Sequence, residues 1–182
     1  MDTYRRILTK RDLRTFTDSP IDRPTLIQIL EAGRRSGSSR NRQPWHLVAV
    51  TDPPRLRDLA ACGRFAQHIA QSAAAVAVVV DDASAAFDAG RCAQNMMLAA
   101  WALGIASCPA SMHRAEEAKA LLGIPADKTI AIVIGFGYPH PGGRGVIERT
   151  ALRVLTGRGR RPLESMVSWE RYVLSPPSPP RV

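Results

Sequence analysis

Two polar stretches of this sequence carry residue types that suit an anionic, planar ligand. The first is KRDLR at residues 10–14, in which basic and acidic side chains alternate. In an extended backbone Lys10, Asp12 and Arg14 share one face, because alternate side chains point to the same side. Such a face could hold a phosphate or a polarised carbonyl. Clustered cations of this kind are also common on a solvated surface.

The second stretch is SGSSRNRQPW at residues 36–45. Small residues at Gly37, Ser38 and Ser39 let a flat ligand approach the backbone closely, and Asn41 offers a donor and an acceptor. Pro44 restrains the chain where it enters an apolar run. On composition alone, an ordinary helix-to-strand connection rich in turn formers is the favoured interpretation.

Hydrophobic periodicity predicts the elements that position these stretches. Helices are predicted at residues 2–9, 26–35, 55–62, 65–71, 85–103 and 114–122, and strands at 46–50, 74–80, 105–107 and 129–134. Asp22 is the expected N-cap of the second helix. A second loop of small residues is predicted at 108–112, and a short helix containing Trp169 at 162–172. The helix at 85–103 is apolar nearly all round, so it should be central or lie at an interface.

The length of 182 residues suits one domain with a sizeable core. We expect that domain to span residues 1–174. The proline-rich end at residues 175–182 is expected to be an extended or disordered tail.

Composition argues against several classes of protein. The three cysteines and four histidines are scattered, which predicts neither a disulfide framework nor a metal site and favours a reducing cytoplasm. No targeting segment or membrane-spanning run is apparent, so no membrane association is expected. The net charge is +9, but arginine is spread along the chain and aromatic residues make up only 5%. We therefore expect a phosphate-bearing cofactor rather than nucleic acid as the anionic partner.

Gly135 and Gly137 follow a predicted strand with one residue between them, as in a dinucleotide-binding fold. The third glycine and the helix of that motif are missing, and prolines follow instead. The Rossmann interpretation is therefore rejected.

Four motifs occur in order over almost the whole chain: KRDLRTF at 10–16, SSRNRQPW at 38–45, QNMMLAA with LGI at 94–105, and GFGYP at 135–139. Together they resemble the FMN-dependent nitroreductase family. The resemblance implies an α+β sandwich with a mostly antiparallel central sheet flanked by helices. It also implies an intertwined homodimer with flavin at the subunit interface.

The resemblance also assigns residues to the cofactor. Arg14 would lie near the flavin pyrimidine edge, where a cation stabilises the negative charge of the reduced ring. The Ser111 backbone N–H would donate to flavin N5. Arg158 and Arg160 would clamp the phosphate, with a solvated basic tail as the competing interpretation. The full expected FMN-binding set is Lys10, Arg11, Asp12, Arg14, Gly37, Ser38, Ser39, Asn41, Pro109, Ala110, Ser111, Arg158 and Arg160.

Asp12 departs from the family pattern, which often has serine at this position. A carboxylate beside a phosphate would repel it, so Asp12 is expected to pair with a neighbouring arginine or to face the flavin ring. The same pattern occurs in the flavin-cleaving branch that makes dimethylbenzimidazole, where the acid matters to catalysis. Apart from this possible role of Asp12, no side chain is assigned as a catalytic acid or base.

The implied activity is ping-pong hydride transfer from NAD(P)H through flavin N5 to a nitroaromatic, quinone or similar conjugated acceptor. The alternatives are a flavin-cleaving synthase and a flavin-binding protein without turnover. The sequence leaves the physiological acceptor open, together with the choice among NADH, NADPH and a deazaflavin as donor.

Overall fold

The computed structural model of the chain describes residues 2–141, 160 and 162–172. The chain divides into two compact units, residues 1–143 and 144–182. Arg158 and the proline-rich end at 175–182 lie outside the described residues. The extent of the single domain expected over residues 1–174 stays a prediction.

A four-stranded sheet forms the centre of the first unit. Its strands are β1 (Trp45–Val50), β2 (Ala74–Val80), β3 (Ala106–Ala110) and β4 (Thr129–Gly137), in the order β1-β2-β4-β3. All three neighbouring pairs are antiparallel. Every residue of β2 is buried, as the continuous apolar sequence of this strand requires. The expected antiparallel α+β architecture is thus confirmed.

In residues 2–141, six α-helices accompany this sheet: α1 (Thr3–Thr9), α2 (Arg23–Arg34), α3 (Pro53–Ala61), α4 (Gln67–Ala70), α5 (Ala86–Ala102) and α6 (Ala115–Leu122). Aspartate begins three of them, because the side chains of Asp2, Asp22 and Asp52 each accept the N–H of the residue three positions on. Gly123 ends α6 in the left-handed conformation that glycine adopts without strain. The N-cap expected at Asp22 is confirmed.

Helices cover both faces of the sheet. On one face Ile29 of α2 and Met96 of α5 pack with Phe136 of β4. On the other face Leu59 of α3 and Ile69 of α4 share a second core with β2 and β4. Helix α5 buries residues along most of its length, so the prediction of a central helix is confirmed.

The predicted loop at 108–112 is wrong over its first three residues. Cys108, Pro109 and Ala110 belong to β3, where they pair with residues 133–135 of β4. Proline normally argues against a strand because it lacks an N–H, but β3 lies at the edge of this sheet and needs no donor on its outer side. Strand β4 is correspondingly longer than predicted and continues to Gly137.

The helix predicted at 162–172 in the second unit is also wrong. Its described residues form one 3-10 turn, Leu163–Ser165, in which Ser165 Oγ donates to the Pro162 carbonyl at 2.8 Å. Trp169, which was expected within this helix, lies outside the turn and is 83% exposed. Glu170 adopts a left-handed φ of 63°, which interrupts helical geometry. Among the residues described, no helix has the length and apolar character needed to cross a membrane.

Gly137 permits a close contact on which the site depends. A Cβ at this position would lie 2.7 Å from Cγ of Phe16. We therefore expect Gly137→Ala to lower the free energy of unfolding by about 1–3 kcal/mol through overpacking, measured by urea denaturation.

Gly90→Ala is the matched control, because a Cβ at Gly90 on α5 would meet open space. This substitution should raise the free energy of unfolding by roughly 0.5–1 kcal/mol through helix propensity. Equal urea midpoints for Gly137→Ala and the wild type would contradict the packing described here.

Candidate active site

The basic segment at residues 10–17 lies across the ends of β3 and β4. The Leu13 N–H donates to the Ser107 carbonyl at 3.2 Å, and Asp12 forms an isolated parallel bridge with Ser107. Further along, the Thr17 N–H donates to the Tyr138 carbonyl at 2.8 Å. These bonds hold the segment extended, which is the conformation that places alternate side chains on one face.

Phe16 anchors this segment to the sheet. Its side chain is buried, and its backbone bridges Pro139 in antiparallel fashion. The ring lies directly on Gly137, where any side chain would displace it. The aromatic residue of the KRDLRTF motif therefore sets the position of the charged residues that precede it.

Lys10 and Asp12 form an ion pair between Nζ and Oδ1. The lysine side chain is 9% exposed and the aspartate side chain 57% exposed, so the pair links an interior cation to a carboxylate at the surface. Lys10 Nζ also lies 3.5 Å from the Met97 sulfur of α5. Asp12 was expected to pair with an arginine or to face the flavin ring. In the structure its carboxylate forms an ion pair with Lys10 instead.

Arg14 lies beside the buried thiol of Cys108. Burial raises the pKa of this thiol, and Arg14 opposes the rise by hydrogen-bonding to the sulfur. The charges of Asp12 and Lys10 act on the same thiol. The structure thus pairs Lys10 with Asp12 and puts Arg14 beside Cys108, while the shared ligand-binding face expected for the three residues stays a prediction.

Arg11 points in a different direction. Its Nη1 donates to the carbonyls of Leu8 and Lys10, both at 3.0 Å, at the C-terminal end of α1. A cation at this end of a helix satisfies free carbonyls and interacts favourably with the helix dipole. Its expected role in cofactor binding stays a prediction.

His68 is a buried member of the site that the sequence analysis missed. Its Nε2 donates to the Cys108 carbonyl at 3.1 Å. Burial lowers the pKa of His68, and the nearby charge of Arg14 lowers it further. The neutral ring therefore fastens α4 to the strand that carries Cys108. No local pattern could have identified this contact, because its partners are 40 residues apart.

Ser111 follows β3 directly, and the turn between α3 and α4 packs against it. A Cβ on Gly63 would lie 3.1 Å from the Ser111 carbonyl and 3.0 Å from the Met112 methyl. At the other end of the loop, the Arg114 N–H donates to the Cys62 carbonyl of the same turn at 3.0 Å. The short loop between β3 and α6 is therefore held closely at both of its ends.

The loop at residues 36–43 is anchored on α5. The Ser36 hydroxyl accepts from Asn95 Nδ2 at 2.8 Å, and the Ser39 N–H donates to Asp88 Oδ2 at 3.2 Å. Gly37 lies against Arg91, since a Cβ would come within 2.5 Å of its Nη2. Ser39 remains exposed at the tip of the loop. Because Gly37 has no side chain, the Arg91 side chain of α5 can pack against its backbone.

Three residues of this loop adopt left-handed backbone conformations: Arg40, Asn41 and Gln43, with φ between 49° and 53°. Non-glycine residues in this region are strained, and such strain persists only where the surroundings impose it. The Ser38 hydroxyl, which accepts from the Gln43 N–H at 2.8 Å, is one such restraint. A strained polar loop with exposed serine and asparagine is typical of a binding element.

The donor set is suited to an anionic ligand. Lys10 and Arg14 supply two cations at one end of the sheet. The Ser107 hydroxyl is buried on the strand that holds them, and it has no hydrogen-bond partner among the described residues. Arg160 is exposed in the second unit, so its expected phosphate role stays a prediction, as does that of Arg158.

Comparison with known proteins decides the family. The model of the nitroreductase family matches residues 7–79 and 60–138 of this chain. The chain belongs to the nitroreductase family. An Archaeoglobus fulgidus relative, named for NADH dehydrogenase and NAD(P)H nitroreductase activity, is 31% identical over 144 residues, which cover 73% of this chain and 83% of the relative.

Solved nitroreductase-family structures share this fold. An FMN-dependent nitroreductase from Clostridium difficile has a TM-score of 0.71 at 21% identity, covering 75% of this chain and 87% of its own. The NADPH:FMN oxidoreductase from Vibrio harveyi, solved with NAD+, has a TM-score of 0.78 at 23% identity. The match covers 96% of this chain and 79% of the Vibrio harveyi chain. These likenesses confirm the nitroreductase-like architecture implied by the sequence motifs.

The burial of His68 makes stability depend on pH. Its pKa in the folded protein lies below the ordinary value of 6.5. As the pH falls below 6.5, the unfolded chain gains a proton on this ring before the folded chain does. The free energy of unfolding should therefore decrease with falling pH in this window.

His68→Gln keeps an amide donor near Cys108 but does not titrate. We expect its stability to fall less than that of the wild type between about pH 7 and about pH 5, measured by urea denaturation across this range. His113→Gln, at an exposed histidine, is the control. Equal pH dependence in the wild type and His68→Gln would contradict the assignment.

Proposed function

We propose that this nitroreductase-family chain is an FMN-dependent NAD(P)H oxidoreductase that reduces a nitroaromatic, a quinone or a similar conjugated acceptor. The observation that carries the proposal is the docked segment at residues 10–17, in which Lys10 pairs with Asp12 and Arg14 lies beside Cys108 of β3. The chemistry that bound FMN supplies is ping-pong hydride transfer through N5. The protein's part is to bind the cofactor, orient it and stabilise charge.

Arg14 would stabilise the reduced cofactor. The docking of segment 10–17 on β3 and β4 restricts the backbone of Arg14 before any ligand arrives, and its guanidinium acts on the Cys108 thiol. A preorganised cation facing the pyrimidine edge would stabilise negative charge there at little reorganisation cost. Cys108 itself would act as a packing residue, because burial keeps its thiol pKa above the usual value.

Ser111 would donate its backbone N–H toward N5. The proposal is supported by its fixed main chain: Ser111 directly follows Ala110, the last paired residue of β3, and its carbonyl lies close to Gly63. Pro109 and Ala110 would flank the ring from the strand itself. Because the contribution of Ser111 comes from the main chain, the side chain at position 111 should matter little.

Lys10 would bind the FMN phosphate. The phosphate role expected for Arg158 and Arg160 is a separate proposal that rests on their charge. Paired arginines suit a dianionic phosphate by charge and by bidentate geometry. Support for this role of Lys10 comes from its position on the docked segment, where its largely buried side chain passes Met97 and its ammonium group pairs with the exposed Asp12.

A second copy of the chain would complete the site. The polar loop presents exposed Ser39 and Asn41, which we propose contact the flavin of the partner subunit together with Gly37 and Ser38. Helix α1 buries none of its residues and exposes Tyr4, Ile7 and Leu8. An open groove beside β1 is lined in part by Ile27, Leu30, Trp45 and Leu47. These surfaces would be covered in a homodimer.

Asp12 favours one alternative, in which the chain cleaves reduced flavin in the presence of oxygen to form a benzimidazole. Its carboxylate is more than half exposed at the proposed site and so is open to a ligand. Detection of a benzimidazole product after incubation with reduced FMN and oxygen would favour that reaction over acceptor reduction.

Ser111→Pro tests the proposed hydride site. The substitution removes the backbone N–H, whereas Ser111→Ala keeps it. With FMN bound, Ser111→Pro should slow anaerobic bleaching of the flavin by NADPH about tenfold to a hundredfold, as expected for loss of one preorganised donor. Ser111→Ala should match the wild type in the same stopped-flow measurement.

Equal bleaching rates in both Ser111 variants would remove Ser111 from the mechanism. Absence of bleaching with either nicotinamide in the wild type would contradict the proposed oxidoreductase activity itself and favour the synthase or a non-catalytic flavin-binding protein.

Light scattering after gel filtration tests the dimer. The mass in solution should be twice the chain mass of 19.8 kDa. Replacing Ile7 and Leu8 of α1 by serine should shift the population toward monomer, because both side chains are exposed in the single chain. A monomeric wild type with FMN bound would contradict a site shared between subunits.

A further inference from the structure

We infer that Asp12 competes with the flavin phosphate for Lys10 and thereby weakens the preference of this protein for FMN over riboflavin. The inference rests on the proposed function and concerns the same site. It follows from one ion pair and from the unequal exposure of its two members.

Within residues 2–141, Lys10 forms its ion pair with Asp12. Its side chain is 9% exposed, and its ammonium group lies between the Asp12 carboxylate and the Met97 sulfur. A thioether is a weak acceptor and cannot neutralise a cation. The Asp12 carboxylate is therefore the anion that neutralises Lys10. A phosphate that binds Lys10 must displace this carboxylate or share the ammonium group with it.

The Asp12 carboxylate can leave the ion pair with Lys10. Its side chain is 57% exposed, so water can solvate the carboxylate once the ion pair opens. Its backbone stays in place through the bridge to Ser107 and the Leu13–Ser107 hydrogen bond. The carboxylate consequently remains close to any phosphate that Lys10 binds, and it repels that phosphate after losing the lysine.

Both effects act on the phosphate rather than on the ring. Losing the Lys10 pair and gaining a nearby like charge lower the affinity for FMN. Riboflavin has no phosphate, so it can bind while the Lys10–Asp12 pair stays closed. Asp12 thus narrows the gap in affinity between phosphorylated and unphosphorylated flavin and favours exchange of FMN with solution.

Asp12→Asn tests this inference in the full chain. Dissociation constants for FMN and riboflavin are measured by quenching of flavin fluorescence. We expect Asp12→Asn to tighten FMN binding about tenfold and to change riboflavin binding less than about twofold, as removal of one nearby charge predicts. Asp12→Ser, which places a small hydroxyl there, should change both affinities in the same direction as Asp12→Asn.

Asp18→Asn is the matched control, because it changes the net charge equally at an exposed residue outside the ion pair. It should bind both flavins as the wild type does. In a Lys10→Met background the gain from Asp12→Asn should shrink below about threefold, because Lys10 is no longer there to be released.

Three results would overturn the inference: unchanged FMN affinity in Asp12→Asn, equal tightening of riboflavin, or a full gain in the Lys10→Met background. In each case the wild type still binds FMN, so the proposed function survives. Failure of the wild type and all variants to bind either flavin would overturn the proposed function, and the inference with it.

Discussion

The docking of one extended segment across the ends of two strands determines the geometry of the site. Phe16 can lie on the sheet only because Gly137 has no side chain, and the Leu13 N–H then bonds to β3. Lys10, Asp12 and Arg14 precede or flank these anchors, so their positions follow from backbone pairing. Without the docking, the same residues would be solvated charges on a flexible chain.

Helix α5 connects this segment to the polar loop at residues 36–43. Its Met97 lies against Lys10, while Asp88 and Asn95 on the same helix hold the loop at 36–43. Because α5 is packed into the core beside the sheet, both polar elements are fixed to one rigid support. In the proposed homodimer, each copy would supply its basic segment to one flavin and its polar loop to the other.

Local sequence patterns predicted most of the fold. Periodicity located the helices and the buried strands. The extended conformation assumed for residues 10–14 agrees with the backbone bonds of this segment to β3. The loop assigned to Pro109 was wrong because a missing N–H is harmless on an edge strand, which only the sheet order reveals. His68 was missed because its bond to Cys108 joins distant parts of the chain. Family motifs supplied the cofactor assignment, which the residue pattern alone left open.

The visible absorption spectrum of the purified protein, before and after FMN is added and the excess removed, tests the central claim most directly. The account predicts protein-bound flavin absorption bands that bleach when NADPH is added without oxygen and return when a quinone follows. A protein that retains no FMN under these conditions would contradict the flavin site built on Lys10 and Arg14.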